Sequence, residues 1–210
     1  MKIDSPAKIN LFLHVIGKRP NGYHDIHSLM CGLTLYDTLT LDFQASKTTV
    51  VCTHPAVPED ETNIAYRAAE CFFDALGNSG GVCIDIEKRI PVAAGLGGGS
   101  SDAAATLTGL NELFGAPLAP EALHALAAEI GSDVPFFLAG SAAVCRGRGE
   151  IVEPIPFPHQ LPLLLIKPGF GVPTPWAYSR WRDALEIPGI SYAPQLFSWG
   201  RRQRLGAPGV

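Results

Sequence analysis

"GLGGGSSDAAATL", residues 95–107, puts four glycines in its first five positions and then turns helical. Ala103, Leu107, Leu110 and Phe114 recur at the spacing of one helical face. Ser100, Ser101 and Asp102 suit an N-cap and first turn, and Gly115 with Pro117 suits a stop. A glycine loop that empties into a helix offers free backbone N–H groups and the positive end of the macrodipole, a combination that favours an anion. Neither standard nucleotide loop fits. No lysine follows the glycines, and Ser100 stands where a dinucleotide fingerprint needs its third glycine. A bare tight turn between strand and helix is the competing reading. The preceding strand-like "DIEKRIP", the small Ala93 and Ala94 and the polar helix start favour a phosphate cradle, and a nucleotide triphosphate fits it.

Upstream, Ile9, Leu11, Leu13 and Val15 alternate with Lys8, Asn10, Phe12 and His14, which predicts a strand with Lys8 and Asn10 on one face. "KRPNGYHD" (18–25) reads as a loop turning at Asn21-Gly22. Strands are expected at 38–43, 48–52 and 81–88, with a helix over 62–77 between them. Downstream come a helix over 120–131, with Pro120 in its first turn, and two strands, "SAAVCRG" and "EIVEPI", around a Gly-Arg-Gly turn. The proline-rich "PIPFPHQLP" (154–162) marks a domain boundary, and "LLLIKP" (163–168) reads as the first strand of a second unit. Strands and helices mix without strict β-α-β alternation, so the fold class is α+β.

The whole chain narrows the function. Its 210 residues suit one large or two small domains, and 47% hydrophobic against 17% charged residues is ordinary for a globular protein. A formal charge of −4 gives no general attraction for nucleic acid. The cysteines, Cys31, Cys52, Cys71, Cys83 and Cys145, are odd in number and contain no C-x-x-C pair. That argues against a disulfide framework or zinc site and for a reducing cytoplasm. No run is long enough for a membrane span, and the N-terminus reads as a strand, not as a signal peptide. His14, His27, His54, His124 and His159 show no ligand spacing.

"PVAAGLGGGSSDAAATL" (91–107) resembles the second motif of the GHMP small-molecule kinases. "SPAKINLFLHVIGKRPNGYHDIHSLM", "GSDVPFFLAGSAAVCRGRGE" and "PGFGVPTPWAY" resemble the branch acting on a cytidyl sugar alcohol, and the match runs from about residue 5 to residue 200. The resemblance implies a two-domain GHMP-kinase fold with its active site in the cleft. The N-terminal domain (1–153) would be like domain 2 of ribosomal protein S5, followed by an incomplete α+β C-terminal domain (154–200). It implies transfer of a phosphoryl group from ATP, with Mg²⁺, to the 2-hydroxyl of 4-diphosphocytidyl-2-C-methylerythritol, a step of non-mevalonate isoprenoid synthesis. The implied partner is that small molecule, without nucleic acid or membrane; oligomeric state is not implied.

By resemblance, Asp133 is the acid–base that takes the acceptor proton, although "GSDVP" alone reads as a helix cap. Lys8 stabilises charge on the nucleophilic oxygen, and Asn10 contacts the substrate. Tyr23 stacks on the cytosine and His24 hydrogen-bonds its edge, tasks that suit those side chains. Pro91, Val92, Ala93, Ala94, Gly95, Leu96, Gly97, Gly98, Gly99, Ser100 and Ser101 would carry ATP, with Ser101 the candidate oxygen for the metal. Asn63 reads equally as an adenine-side contact and as a helix N-cap.

The resemblance stops near the end. The family's third glycine-rich motif, of the form GSGPT, is absent, and "RRQRLGAPGV" (201–210) breaks in composition from "APQLFSWG". A shifted reading frame after Gly200 and a divergent C-terminus both account for this, and a feeble kinase with exposed apolar surface is the expectation. The alternatives are a kinase for another alcohol, such as homoserine or mevalonate, and an inactive nucleotide-binding remnant. "RPNGYHDIH" weighs against the first, and the missing motif supports the second.

Overall fold

A computed structural model describes residues 1–44, 46–158 and 160–181. His159 and the 201–210 tail lie outside the described residues, as does everything from residue 182 onward. The fold is α+β. A six-stranded sheet is built from β1 (Lys2–Lys18), β2 (His24–Gln44), β3 (Thr49–Cys52), β4 (Gly81–Glu87), β5 (Ala142–Gly147) and β6 (Ile151–Pro154). β2 is its spine. β1 pairs along nearly all of β2, while β4 takes the 38–44 half of its other edge and β5 takes the 26–31 half. Only β3–β4 is parallel.

Helices α1 (Ile64–Ala75), α2 (Gly98–Leu113) and α4 (Val134–Leu138) pack on the sheet, and α3 (Pro120–Ile130) packs on these helices. On α1, Ala65, Ala68, Ala69, Phe72 and Phe73 form the buried face, at the i, i+3, i+4 spacing of an amphipathic helix. Leu39, Leu41, Ile84 and Ile86 meet it from the sheet. By contrast, α2 is buried nearly all round from Ser101 to Asn111, so its apolar face is much wider than the stripe expected from Ala103, Leu107, Leu110 and Phe114. Small residues make this central position possible: a Cβ on Gly109 would stand only 2.5 Å from Leu41 Cδ1.

Several sequence expectations need correction. α2 begins at Gly98 with Gly97 as N-cap, so Ser100, Ser101 and Asp102 lie inside the helix and do not cap it. The positive φ of Gly97 (72°) lets the chain enter helix one glycine earlier than a side-chain cap would require. β2 begins at His24, absorbing His24 and Asp25 from the expected loop. Its inward residues change parity, from Ile26, Ser28 and Met30 to Asp37, Leu39 and Leu41, and no single period of two spans it. Register shifts at Pro6/Lys8 and Asn10/Phe12 likewise interrupt the alternation of β1. Residues 163–168 form no strand, because no described strand pairs with them, and Leu164 and Ile166 are exposed. After them comes a short helix, α5 (Thr174–Ser179).

Candidate active site

The glycine loop is built as a cradle. Gly95 and Gly97 both have φ of 72°, and Ala93 is also left-handed at 55°. Leu96 anchors the loop by packing with Ala7 and Ile90, and its carbonyl accepts the Lys8 N–H at 2.8 Å. The first backbone bond of α2 runs from Ser101 N–H to Gly97 O, so Gly98, Gly99 and Ser100 begin the helix with N–H groups that have no partner one turn back. A Cβ on Gly97 would stand 2.9 Å from Lys8 Cγ and Phe137 Cζ. The glycine loop therefore rests on the stem of Lys8.

That lysine joins the loop to Asp133. Lys8 Nζ lies 3.3 Å from Asp133 Oδ2 and donates to Asn10 Oδ1 at 2.8 Å. Asn10 Nδ2 donates to Ser28 Oγ, which donates to the Phe12 carbonyl. Lys8 is buried, whereas the Asp133 side chain keeps 31% of its surface. Asp133 occupies the N-cap position of α4 but makes no capping bond, so the helix-cap reading of "GSDVP" does not describe its carboxylate. Behind the pair, burial and then the charge of Asp133 push the Cys145 thiol up to about 12, which leaves it protonated and inert at neutral pH.

Tyr23 is half exposed on the turn between β1 and β2, with the Arg148 guanidinium 5.3 Å over its ring. The turn is held by Arg19, which donates to Asp25 through two nitrogens, 2.9 and 2.6 Å away. His24 is buried, with Tyr178 5.1 Å away at a 33° tilt and Trp181 meeting it edge-on at 5.4 Å. Burial and the charge of Asp133 raise the Tyr178 hydroxyl above its ordinary value, which sets this ring within electrostatic range of the Lys8 pair. Ser28, Arg148, Tyr178 and Trp181, which sequence reasoning did not single out, contact Asn10, Tyr23 and His24. Tyr178 ended the recognised motif "PGFGVPTPWAY" and Trp181 lay beyond it, but only the fold sets the two rings on His24.

Asn63 is a cap. Its Oδ1 accepts the Ala65 N–H, its Nδ2 donates to the Pro58 carbonyl, and the residue is buried. An adenine contact therefore has no geometric support there. Ser101 Oγ is buried without a hydrogen-bond partner among the described residues, in the first turns of α2. It is a spare oxygen beside the cradle. Among the described residues no cluster of three His, Cys, Asp or Glu could cage a metal. This donor set suits Mg²⁺, which keeps waters and phosphate oxygens as most of its ligands.

Beneath α2 lies a buried ionic network absent from the sequence reading. Lys88 Nζ donates to Asp37 Oδ2 and, at 2.8 Å, to Asp102 Oδ2. Asp37 Oδ1 also accepts the N–H groups of Arg89 and Ile90, and Asp102 Oδ1 accepts Ser5 Oγ–H at 2.8 Å. Burial alone would lower the Lys88 ammonium, but the two carboxylates hold it above its ordinary range. Burial, assisted by Asp37, pushes Asp102 up from 3.8 to about 6 against the pull of Lys88 and Ser5. Its proton is held more tightly in the folded than in the unfolded chain. This group's contribution to stability therefore falls as pH rises from about 4 to about 6 and is flat above. In urea titrations, the stability of the parent chain relative to Asp102→Asn should decline between pH 4.5 and pH 7. A constant difference would mean that Asp102 titrates alike in both states.

A mixed sheet carries a glycine loop at a helix start next to a lysine–aspartate pair, and a family model for the GHMP kinases N terminal domain matches residues 63–141. A 4-diphosphocytidyl-2-C-methyl-D-erythritol kinase of Desulfitobacterium hafniense is 44% identical over 201 residues, covering 95% of this chain and 68% of the relative. One of Synechococcus sp. (strain JA-3-3Ab) is 46% identical over 177 residues, covering 84% and 57%. A crystal structure of 4-(cytidine 5'-diphospho)-2C-methyl-D-erythritol kinase superposes with a TM-score of 0.68 at 42% identity, over 87% of this chain and 65% of that one. The chain belongs to the family of 4-diphosphocytidyl-2-C-methyl-D-erythritol kinases, and it spans about three-fifths of the length of the curated relatives it matches.

Proposed function

We propose that the chain carries the catalytic half of an ATP-dependent kinase that phosphorylates the 2-hydroxyl of 4-diphosphocytidyl-2-C-methylerythritol. The observation that carries this reading is the Lys8–Asp133 pair, 3.3 Å apart, with Lys8 packed directly under Gly97 of the anion-binding loop. In this reading the phosphates lie on the N–H groups of residues 98–100 and the acceptor hydroxyl lies at the pair. Asp133 orients the alcohol for in-line attack and takes its proton, while Lys8 stabilises the developing alkoxide. Asn10, itself held by Ser28, keeps the ammonium pointed at the carboxylate. Bound Mg²⁺ would neutralise phosphate charge, and Ser101 Oγ is the protein oxygen available to hold it. The cytosine would lie among Tyr23, His24 and Tyr178, where stacking gives area and the imidazole reads an edge. We retain a division near residue 153, with the described 154–181 segment opening the second domain.

The direct test is ADP release by the 210-residue chain with ATP and, in turn, the cytidyl substrate, homoserine and mevalonate. Turnover should appear only with the first. Turnover with another alcohol would reassign the substrate, and ATP binding without any turnover would favour the remnant. Within this frame, Tyr23→Ala should weaken the cytidyl substrate about 5- to 150-fold, the worth of one stacking contact, and spare ATP. Equal weakening of both ligands would show that the loop only supports the fold.

A further inference from the structure

Ser28 is buried in β2, where the strand is paired on both edges, opposite Leu13 of β1 and Cys145 of β5. Beside it β1 carries a bulge: Asn10 pairs with Met30 and Phe12 with Leu29, so Leu11 is an extra residue. The residues on either side of that bulge both meet the Ser28 hydroxyl. It donates to the Phe12 carbonyl at 2.6 Å and accepts from Asn10 Nδ2 at 2.7 Å. Asn10 Oδ1 in turn accepts from Lys8 Nζ at 2.8 Å. A carbonyl has no proton to give and a hydroxyl has only one, so the Phe12 carbonyl fixes the direction of every bond in this chain. Ser28 must donate to it. Asn10 must then present its –NH₂ group to Ser28 and its oxygen to Lys8. The opposite amide orientation would set –NH₂ against –NH₃⁺, and an oxygen against a hydroxyl whose proton is already engaged.

We propose that Ser28 is a positioning residue for phosphoryl transfer: its hydroxyl, tied to the carbonyl beside the bulge, locks the Asn10 amide oxygen onto Lys8 and so aims the ammonium at the nucleophilic oxygen. The inference rests on the reading of the Lys8–Asp133 pair as the acceptor site. The Lys8 ammonium has three protons. One is held by Asn10, a second faces Asp133 at 3.3 Å, and the third is left for the acceptor oxygen. The stem cannot choose another course, because it packs under Gly97. Ser28 sits on a strand with neighbours on both edges, the kind of rigid element that holds a supporting hydrogen bond within a fraction of an ångström. Charge on the acceptor oxygen develops only in the transition state. A misaimed ammonium therefore lowers kcat and leaves ground-state binding nearly unchanged.

Steady-state kinetics with ATP and the cytidyl substrate test this in Ser28→Ala, Asn10→Ala and the double variant. Ser28→Ala should lower kcat roughly ten- to a hundredfold, the scale of a small misplacement at a reacting centre. KM for the cytidyl substrate and ATP affinity should stay within about twofold. In the Asn10→Ala background the same substitution should have no further effect on kcat, a non-additivity that general loosening of the sheet would not produce. Ser28→Thr and Ser28→Val have the same shape and differ by a hydroxyl for a methyl, so Thr should exceed Val in kcat by a similar factor. Additive losses, a rise in KM in place of the fall in kcat, or equal Thr and Val turnover would overturn the inference and leave the Lys8–Asp133 reading intact. No turnover by the parent chain would overturn that reading and the inference together. Should the Ser28 variants fail to fold, hydrogen exchange of the Asn10 side-chain amide in the ¹⁵N-labelled parent decides instead. Exchange slowed more than about tenfold against a free asparagine amide supports the proposal, and exchange at the free rate sinks it.

Discussion

Asp133→Asn should lose at least roughly a hundredfold in turnover, within the range that removal of a positioned acid–base group produces, and change ATP affinity no more than a few-fold. The carboxylate faces Lys8, and the proposed reading puts the acceptor hydroxyl at that pair and the phosphates on the backbone N–H groups of residues 98–100. Asp133 makes no capping hydrogen bond to α4, but the amide would leave the buried Lys8 ammonium without its carboxylate, so the unfolding free energy should fall by about 1–3 kcal/mol. A loss of that size leaves the chain folded, so turnover and equilibrium ATP binding of the folded variant still report the chemical role. Near-parental turnover would remove Asp133 from the mechanism.

Gly97→Ala should be the most damaging single methyl in the loop. Left-handed backbone costs an alanine roughly 1–2 kcal/mol. The new Cβ would also meet Lys8 Cγ and Phe137 Cζ at 2.9 Å, an overpacking cost of about 1–3 kcal/mol. Displacing the Lys8 stem moves the ammonium off Asp133, so turnover should fall more than tenfold beside the stability loss. Gly95→Ala is the control. It has the same φ of 72°, but nothing lies within 4 Å of the added Cβ, so only the conformational cost remains. Equal unfolding midpoints for the two variants would show that the loop does not bear on Lys8 as the geometry indicates.

Local pattern carried much of this protein. The helix over 62–77, the glycine loop with its helix, the Pro120 start, and the shared face of Lys8 and Asn10 all follow from spacing and turn chemistry, and the structure has each of them. The full length of β2 was illegible because its inward parity changes along the strand, which averages out any period of two. The start of α2 was misplaced by the polar run Ser100–Asp102. Side-chain capping is a strong local signal, but two left-handed glycines end the loop without it.

By itself the sequence determined which residue types could do chemistry and, through local spacing, the glycine loop and the α+β class, whereas the candidate roles of Lys8, Asp133, Tyr23 and His24 came from the family resemblance. Tertiary structure alone decided that Lys8 reaches Asp133, 125 positions away along the chain, and that Tyr178 packs on His24. It also decided that Asp102 is a buried partner of Lys88 and not a solvent-facing cap. The physical reason is that helix and strand signals are read within a turn or two of the backbone. A carboxylate's partner and its proton affinity depend instead on which distant strands close around it and how much water they exclude.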